Sequence, residues 1–478
     1  MNPPYIAAPA SAALRIPNAD GDEPTMRYPF LQSEKRNGMP SLEHASSDSS
    51  QGSTWRKLVL VAVLPLIALT AASLHGQDTA RTSAAQSADS LANRLKRAEE
   101  AIALLREQLA AQAEASVQSA SRVRVELFGR VLANGFMNTD SVNNNDVPQF
   151  AAPSGGREQG GMGGAIRQTS FGIRVDVPTV MGARFNGELH ADFFGGQQVS
   201  VGGRHFPLMR LRTARGILTW ARGELMFGQE VPLVAGVNPV SVASFGTSEF
   251  AAAGNLWLWL PQVRGSWTLW APAGLAIQGA VLAPTTGDPV GTFDTGLDAA
   301  ERSNRPYLQG RLRVQWGPED ARGEIGAGLH RGWVKRADGS LVSSRAAALD
   351  ALIPLGRFLE LRGEMYGGQA LRGLGGGGIG QNLTTTGNAV RDRGGWGQVI
   401  VRPSTMVDLG AGCGVGDPKD VANLPARRLR NAACEAHVTT HPGGPVVASL
   451  GLRRHRTTYD AIGVARNTHV NLALGFEF

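Results

Sequence analysis

The chain has two cysteines in 478 residues, too few for a disulfide-dense scaffold or a cysteine-based zinc module. Cys413 and Cys434 fall on neighbouring predicted strands, nearly equidistant from the loop between them. They either pair across the ladder or stand as two small apolar residues. Lysine is scarce: beyond residue 120 only Lys335 and Lys419 occur, so the net charge of +7 is carried there by arginine. Those arginines are scattered along the chain, whereas a nucleic-acid binder gathers its basic residues on one helix or patch. Long apolar runs are nearly absent. A helical membrane protein needs several; with 42% hydrophobic residues and a mean hydropathy of −0.13, this chain has one. No two histidines have metal spacing, so neither metal nor cofactor is expected. The glycine run at 373–380 lacks a following Lys-Ser/Thr and a βαβ setting, so it reads as a flexible loop rather than a phosphate cradle.

What the chain does have is glycine, sixty-one of them, and alternation. In the last ten residues Val470, Leu472, Leu474, Phe476 and Phe478 share one parity, and His469, Asn471, Ala473, Gly475 and Glu477 the other. Side chains of a strand alternate between faces, so this is a strand with one apolar and one polar side. The pattern recurs from Val123 onward. Phe171, Ile173, Val175 and Val177 oppose Arg174 and Asp176; Leu308, Leu312, Val314 and Trp316 oppose Gln309, Arg311, Arg313 and Gln315; Leu359, Leu361 and Met365 oppose Glu360, Arg362 and Glu364. Seven short turns alternate with eight longer connections and join about sixteen strands. An even number of two-faced strands, with both termini at the short-turn end, predicts an all-β membrane protein: a sixteen-stranded antiparallel transmembrane barrel in outer-membrane lipid. A final strand of this kind resembles the closing strand of bacterial outer-membrane barrels, and that resemblance makes Phe478 the signal read by the barrel-assembly machinery.

Upstream of the barrel the chain divides into three. Residues 1–55 are aperiodic and polar and read as a disordered leader or a misassigned start. Residues 56–76 carry Arg56 and Lys57, an apolar run and small residues, the order of a signal peptide; the alternative is an uncleaved anchor, for which an apolar run interrupted by Pro65 is short. In 77–120, Leu91, Leu95, Ile102, Leu105 and Leu109 join Ala98 at the a/d spacing of a periplasmic coiled coil. About three heptads are weak alone and need copies of themselves, as a dimer or a trimer. Residues 121–478 form the barrel.

If the apolar parity faces lipid, Arg124, Arg130, Arg174, Arg184, Arg264, Arg311, Arg313, Arg362 and Arg453 face the lumen. Arg210 and Arg212 join them, together with Arg215, if a bulge between Thr213 and Arg215 shifts the register and leaves Leu218 and Trp220 outside. Such guanidiniums either attract anionic solutes or pair structurally with interior carboxylates, Glu360 and Glu364 among them. The third long loop, 232–254, contains Glu249 and Phe250 and is long enough to fold inward as a constriction or to remain external. Trp220, Trp270 and Trp316 beside short turns, and Trp257, Trp259, Trp333 and Trp396 beside long loops, suggest two aromatic girdles.

The region from about residue 85 resembles the DcaP-type trimeric porins, which set a coiled coil before a sixteen-stranded barrel. The resemblance rests on Gln168-Thr-Ser-Phe-Gly172, Gly228-Gln229, Pro261-Gln-Val-Arg264, Gly368-Gln369 with the glycine run after it, Gly414-Val-Gly-Asp-Pro418, Asn467 and His469-Val-Asn-Leu-Ala-Leu-Gly475. It implies a homotrimeric, non-enzymatic, passive channel for small hydrophilic solutes that prefers anions such as dicarboxylates. Two other classes compete: a barrel enzyme using a serine and a histidine, and a structural envelope tether built on the coiled coil.

Overall fold

A computed structural model describes residues 96, 99–107, 123–153, 160–196, 207–246, 248–287, 296–318, 321–376, 382–384, 386–419, 428–460 and 462–478. The leader, the signal segment, Leu91, Leu95 and Leu109 lie outside these residues. Lys96 and Glu99–Glu107 are helical, and Ile102 and Leu105 are exposed there.

Seventeen strands follow: β1 (Arg124–Asn138), β2 (Gly161–Ala165), β3 (Ser170–Val180), β4 (Ala183–Asp192), β5 (Arg210–Thr219), β6 (Gly223–Glu230), β7 (Leu260–Trp270), β8 (Leu275–Leu282), β9 (Tyr307–Trp316), β10 (Gly323–Lys335), β11 (Leu341–Leu355), β12 (Leu359–Gln369), β13 (Arg391–Ser404), β14 (Val407–Lys419), β15 (Arg428–Gly443), β16 (Val446–Tyr459) and β17 (Gly463–Glu477). β2 and β3 pair with successive stretches of the same side of β1, Asn134–Asn138 and Arg124–Arg130. They are one staggered strand broken by a turn at which Thr169 N–H donates to the Ile166 carbonyl. Every other strand pairs antiparallel with its sequence neighbours, and β1 pairs with β17. The result is a closed barrel of sixteen strands. Among the described residues no helix is long and apolar enough to cross a membrane; the strands do that work.

Closure is why the final residues matter. An open sheet edge in lipid would leave a row of N–H and C=O groups without partners. β17 meets β1 from Asn138–His469 down to Arg130–Glu477. Phe478 completes the seam: Gly129 N–H donates to its carbonyl at 2.9 Å, and its own N–H donates to the Gly129 carbonyl at 3.0 Å.

Large apolar side chains ring the outside. Leu127, Leu189, Val263, Leu312, Leu329, Met365, Leu450 and Leu474 are all exposed, an exterior suited to hydrocarbon. The short-turn end carries an aromatic girdle of Trp220, Trp267, Trp270 and Trp316. The loop-end girdle expected from sequence does not form. Trp257 and Trp259 lie on a loop inside the barrel, Trp396 points inward against Phe250, and only Trp333 of the four sits on an outward parity. Adjacency to a long loop cannot tell which face of the wall a ring takes.

The bulge expected in β5 is present two positions earlier. Thr213 pairs with His190 and Leu211 with Ala191, leaving Arg212 as the extra residue. Arg210, Arg212 and Arg215 all face inward, and Leu218 and Trp220 face out. Cys413 and Cys434 stand opposite each other on β14 and β15, 4.0 Å apart at Cα, and form a disulfide on the outward face.

Two outcomes follow. Deleting Phe478 is expected to lower the yield of heat-modifiable, folded barrel in membranes more than it alters conductance of molecules that do assemble; wild-type yield would refute this. Maleimide labelling of denatured protein should reach Cys413 and Cys434 only after reductant, and labelling without it would refute the bond.

Candidate functional site

Residues 231–246 and 248–259, between β6 and β7, turn into the barrel and cross it. Leu233, Val234, Phe245, Phe250, Leu256 and Trp257 among them are buried. A backbone in a lumen must still satisfy its N–H and C=O groups, and the wall supplies the partners as side chains. Gln309 on β9 accepts from Val234 N–H at 2.9 Å. Asp350 on β11 accepts from the amides of Gly236 and Val237, the latter at 2.9 Å. Gln398 on β13 accepts from Val240 N–H at 3.0 Å and donates to its carbonyl at 2.9 Å. Gln168 accepts from Gly246 N–H at 2.8 Å, Arg210 donates to the Gly246 carbonyl at 3.1 Å, and Glu364 accepts from Leu256 N–H at 3.0 Å. Glycine clears the path. A Cβ on Gly414 would lie 2.3 Å from the Ala253 carbonyl oxygen. Gly254, at φ +101°, takes a turn that few other residues adopt.

Glu249 and Phe250 both sit on this segment, yet they anchor it instead of facing open space. Glu249 pairs with Arg453 of β16, which also donates to the Pro148 carbonyl at 2.9 Å and to Ser244. Phe250 stacks on Trp396 at 5.8 Å. Arg453 thereby ties the third loop to a second inward segment, 139–153. That segment is held by Asn431, Thr457 and Tyr459, the last donating to the Ala151 carbonyl at 2.7 Å.

The nominated lumen arginines are mostly matched with carboxylates. Arg311 reaches Glu324 at 2.6 Å and Asp350 at 2.7 Å. Arg210 reaches Asp192 at 2.6 Å, with Arg212 at 3.9 Å from the same carboxylate. Arg130 meets Glu477 at 3.1 Å and Arg174 meets Glu126 at 3.2 Å. Arg362 pairs with Glu360, which also takes Arg402 at 3.2 Å. Among the described residues Glu364 has no arginine partner; it serves the loop and Trp396, whose indole donates at 3.0 Å. Arg313 faces inward with no partner among the described residues, and Arg124 is exposed at the start of β1. Phe245, on the loop, lies between two guanidiniums, 4.2 Å from Arg130 Cζ and 4.1 Å from Arg212 Cζ, an attraction to the ring quadrupole that holds the loop against β1 and β5.

Between the loop and the short-turn end lies a cavity lined by Asn238, Arg130, Arg362, Arg402, His437 and His441, with Glu324, Asp408 and Glu477 opposing them. Arg362 also donates to the Asn238 carbonyl at 3.1 Å, so it links loop and cavity wall. The sequence reading missed Asp350, Gln168, Gln309 and Gln398 because a polar residue of lumen parity looks the same whether it meets water or a loop. The usable signal was inward-parity glycine, Gly328 and Gly414, where a second backbone approaches closely. His190 and His330 face inward; His330 sits between Gln309 at 3.1 Å and Ser344 at 3.0 Å, a structural setting. No group of three or more His, Cys, Asp or Glu among the described residues could hold a metal ion.

Asp350→Ala removes one carboxylate from both Arg311 and two loop amides. Breaking a buried pair on one side costs about 3–5 kcal/mol, so the loop should detach from β11. Single-channel records should then show larger or flickering conductance, and unchanged records would refute the anchoring role.

No family model and no curated protein matches the sequence. Among solved structures, the outer membrane channel DcaP of Acinetobacter baumannii is similar at a TM-score of 0.58 and 15% identity, over 76% of this chain and 99% of that one. An anion-selective porin from Comamonas acidovorans shares 14% identity at a TM-score of 0.47, over 74% of this chain and 100% of its own. OprB of Pseudomonas putida shares 9% at 0.47, over 74% and 94%. Closed by its two terminal strands and crossed by its third loop, this chain has the sixteen-stranded porin fold of the DcaP channel.

Proposed function

We propose that the protein is a homotrimeric porin of the bacterial outer membrane, passing small hydrophilic solutes passively with a preference for anions, dicarboxylates among them. The observation that carries the reading is the inward loop, which narrows a closed barrel whose exterior is apolar. The short turns then face the periplasm. On this reading segment 77–120, which precedes β1 at that end, is a periplasmic coiled coil whose stripe Leu91, Leu95, Ile102, Leu105 and Leu109 joins three copies.

Anion preference is supported by the guanidiniums at the cavity beneath the loop. Arg362 and Arg402 share Glu360, and Arg402 also stands 3.7 Å from Asp408. An arriving carboxylate is attracted by the forks but competes with resident carboxylates, so it enters without being trapped. Arg313 adds an inward charge without a partner among the described residues. The preference is accordingly moderate.

Reversal potentials across a salt gradient test this. Wild-type protein should favour chloride over potassium, and replacing Arg362 and Arg402 together by Gln should shift the permeability ratio towards cations on the order of severalfold. No conductance would defeat the channel reading; robust conductance with cation preference would defeat its anionic part alone.

A further inference from the structure

The unbalanced positive charge of the wall lies on its outside. No outward position of β1 to β9 carries a charge. On β10 to β17 the outward positions near the loop end hold Arg331, Arg345, Arg393, Arg430, Arg454, Arg456 and Arg466, with Asp417 as their carboxylate. Asp417 is already shared by Arg393 and Lys419, each at 2.9 Å. Three pairs oppose like with like, Arg391 across from Lys419 among them. Arg331 stands directly across from Arg345, and Arg456 directly across from Arg466. Like charges directly opposite on a sheet destabilise it, and an anion between them would relieve the repulsion; Arg331 also lies 5.4 Å from the Trp333 ring centroid.

Their height fits one source of anion. Arg345 stands ten residues up from Leu355 and Arg456 ten up from Val446. At roughly 3.4 Å per residue and a tilt of about 40°, that is about 26 Å, the far edge of an apolar band about 25 Å tall. A charge there avoids the cost it would meet at the midplane. Below the arginines the wall is apolar and concave. Ala347 and Gly367 pair beneath Arg345, beside Arg393, and the exposed Leu329, Leu349 and Met365 flank them in a groove. A cationic rim above an apolar groove matches a phosphorylated headgroup above its acyl chain.

We infer that the outward arginines of β10–β11 and β16–β17 bind the phosphate groups of outer-leaflet glycolipid, with an acyl chain in the groove below Arg345. The inference rests on the outer-membrane barrel reading. Guanidinium forks take phosphate oxygens bidentately and are lightly hydrated, which suits a site at the edge of lipid.

The test is native mass spectrometry of the full chain with bis-phosphorylated lipid A and with the same lipid stripped of phosphate. Wild-type protein should retain the phosphorylated form about tenfold more, as expected for several charge-assisted contacts, and inorganic phosphate should not displace it. A variant with Arg331, Arg345, Arg456 and Arg466 all changed to Gln should lose that difference while keeping wild-type conductance, because these side chains are outside the pore. Equal retention of both lipids by wild-type protein, displacement by inorganic phosphate, or undiminished discrimination by the variant would overturn the assignment. If the variant does not assemble, the wild-type comparison alone decides. A barrel that binds lipid A as stated but does not conduct would defeat the channel reading and leave this one standing.

Discussion

Everything in this molecule depends on one constraint: a backbone in hydrocarbon has no water to bond, so each peptide group must find its partner within the sheet. Only a closed ladder meets that demand with strands. The seam between β1 and β17, ended by the reciprocal bonds of Gly129 and Phe478, converts a meander into a barrel. With closure given, side-chain parity assigns every strand residue to lipid or lumen, and the arginine-rich faces acquire a meaning that composition alone does not give them.

The same demand is met a second time inside. Residues 231–246 and 248–259 enter the lumen as irregular backbone, which is tolerated only where protein or water satisfies it. Here the wall does much of this with the side chains of Gln168, Gln309, Asp350, Glu364 and Gln398. Arg311, Arg210 and Arg453 then balance the carboxylates that hold the loop or the wall beside it. Most lumenal arginine is therefore consumed in construction, and the part left to act on solutes is small and local. The excess that gives the chain its basic balance is found on the exterior of β10 to β17, away from the permeation path.

Much of this was legible in advance. Alternation specified the strands, the count of short and long connections gave about sixteen and placed both termini at one end, and three arginines against Leu218 and Trp220 pointed to a bulge in β5 as the alternative to a charge facing lipid. Each is a local pattern with a period, so a single sequence carries it. The tryptophans mark where this stops. Trp257, Trp259 and Trp396 lie near loops in sequence but inside the barrel in space, because whether a loop folds in or out is decided by partners far along the chain.

The sequence by itself determined the class of fold, the parity of each strand, the closing role of the final strand and the adjacency of Cys413 and Cys434, since all four follow from two-residue periodicity and turn spacing. Only the tertiary structure decided that the third loop folds inward, that Glu249 is matched to Arg453 from 204 residues away, and that Arg311 is locked between Glu324 and Asp350. Those outcomes depend on which side chains meet across the lumen once the barrel has closed, and closure brings together residues that no local window contains.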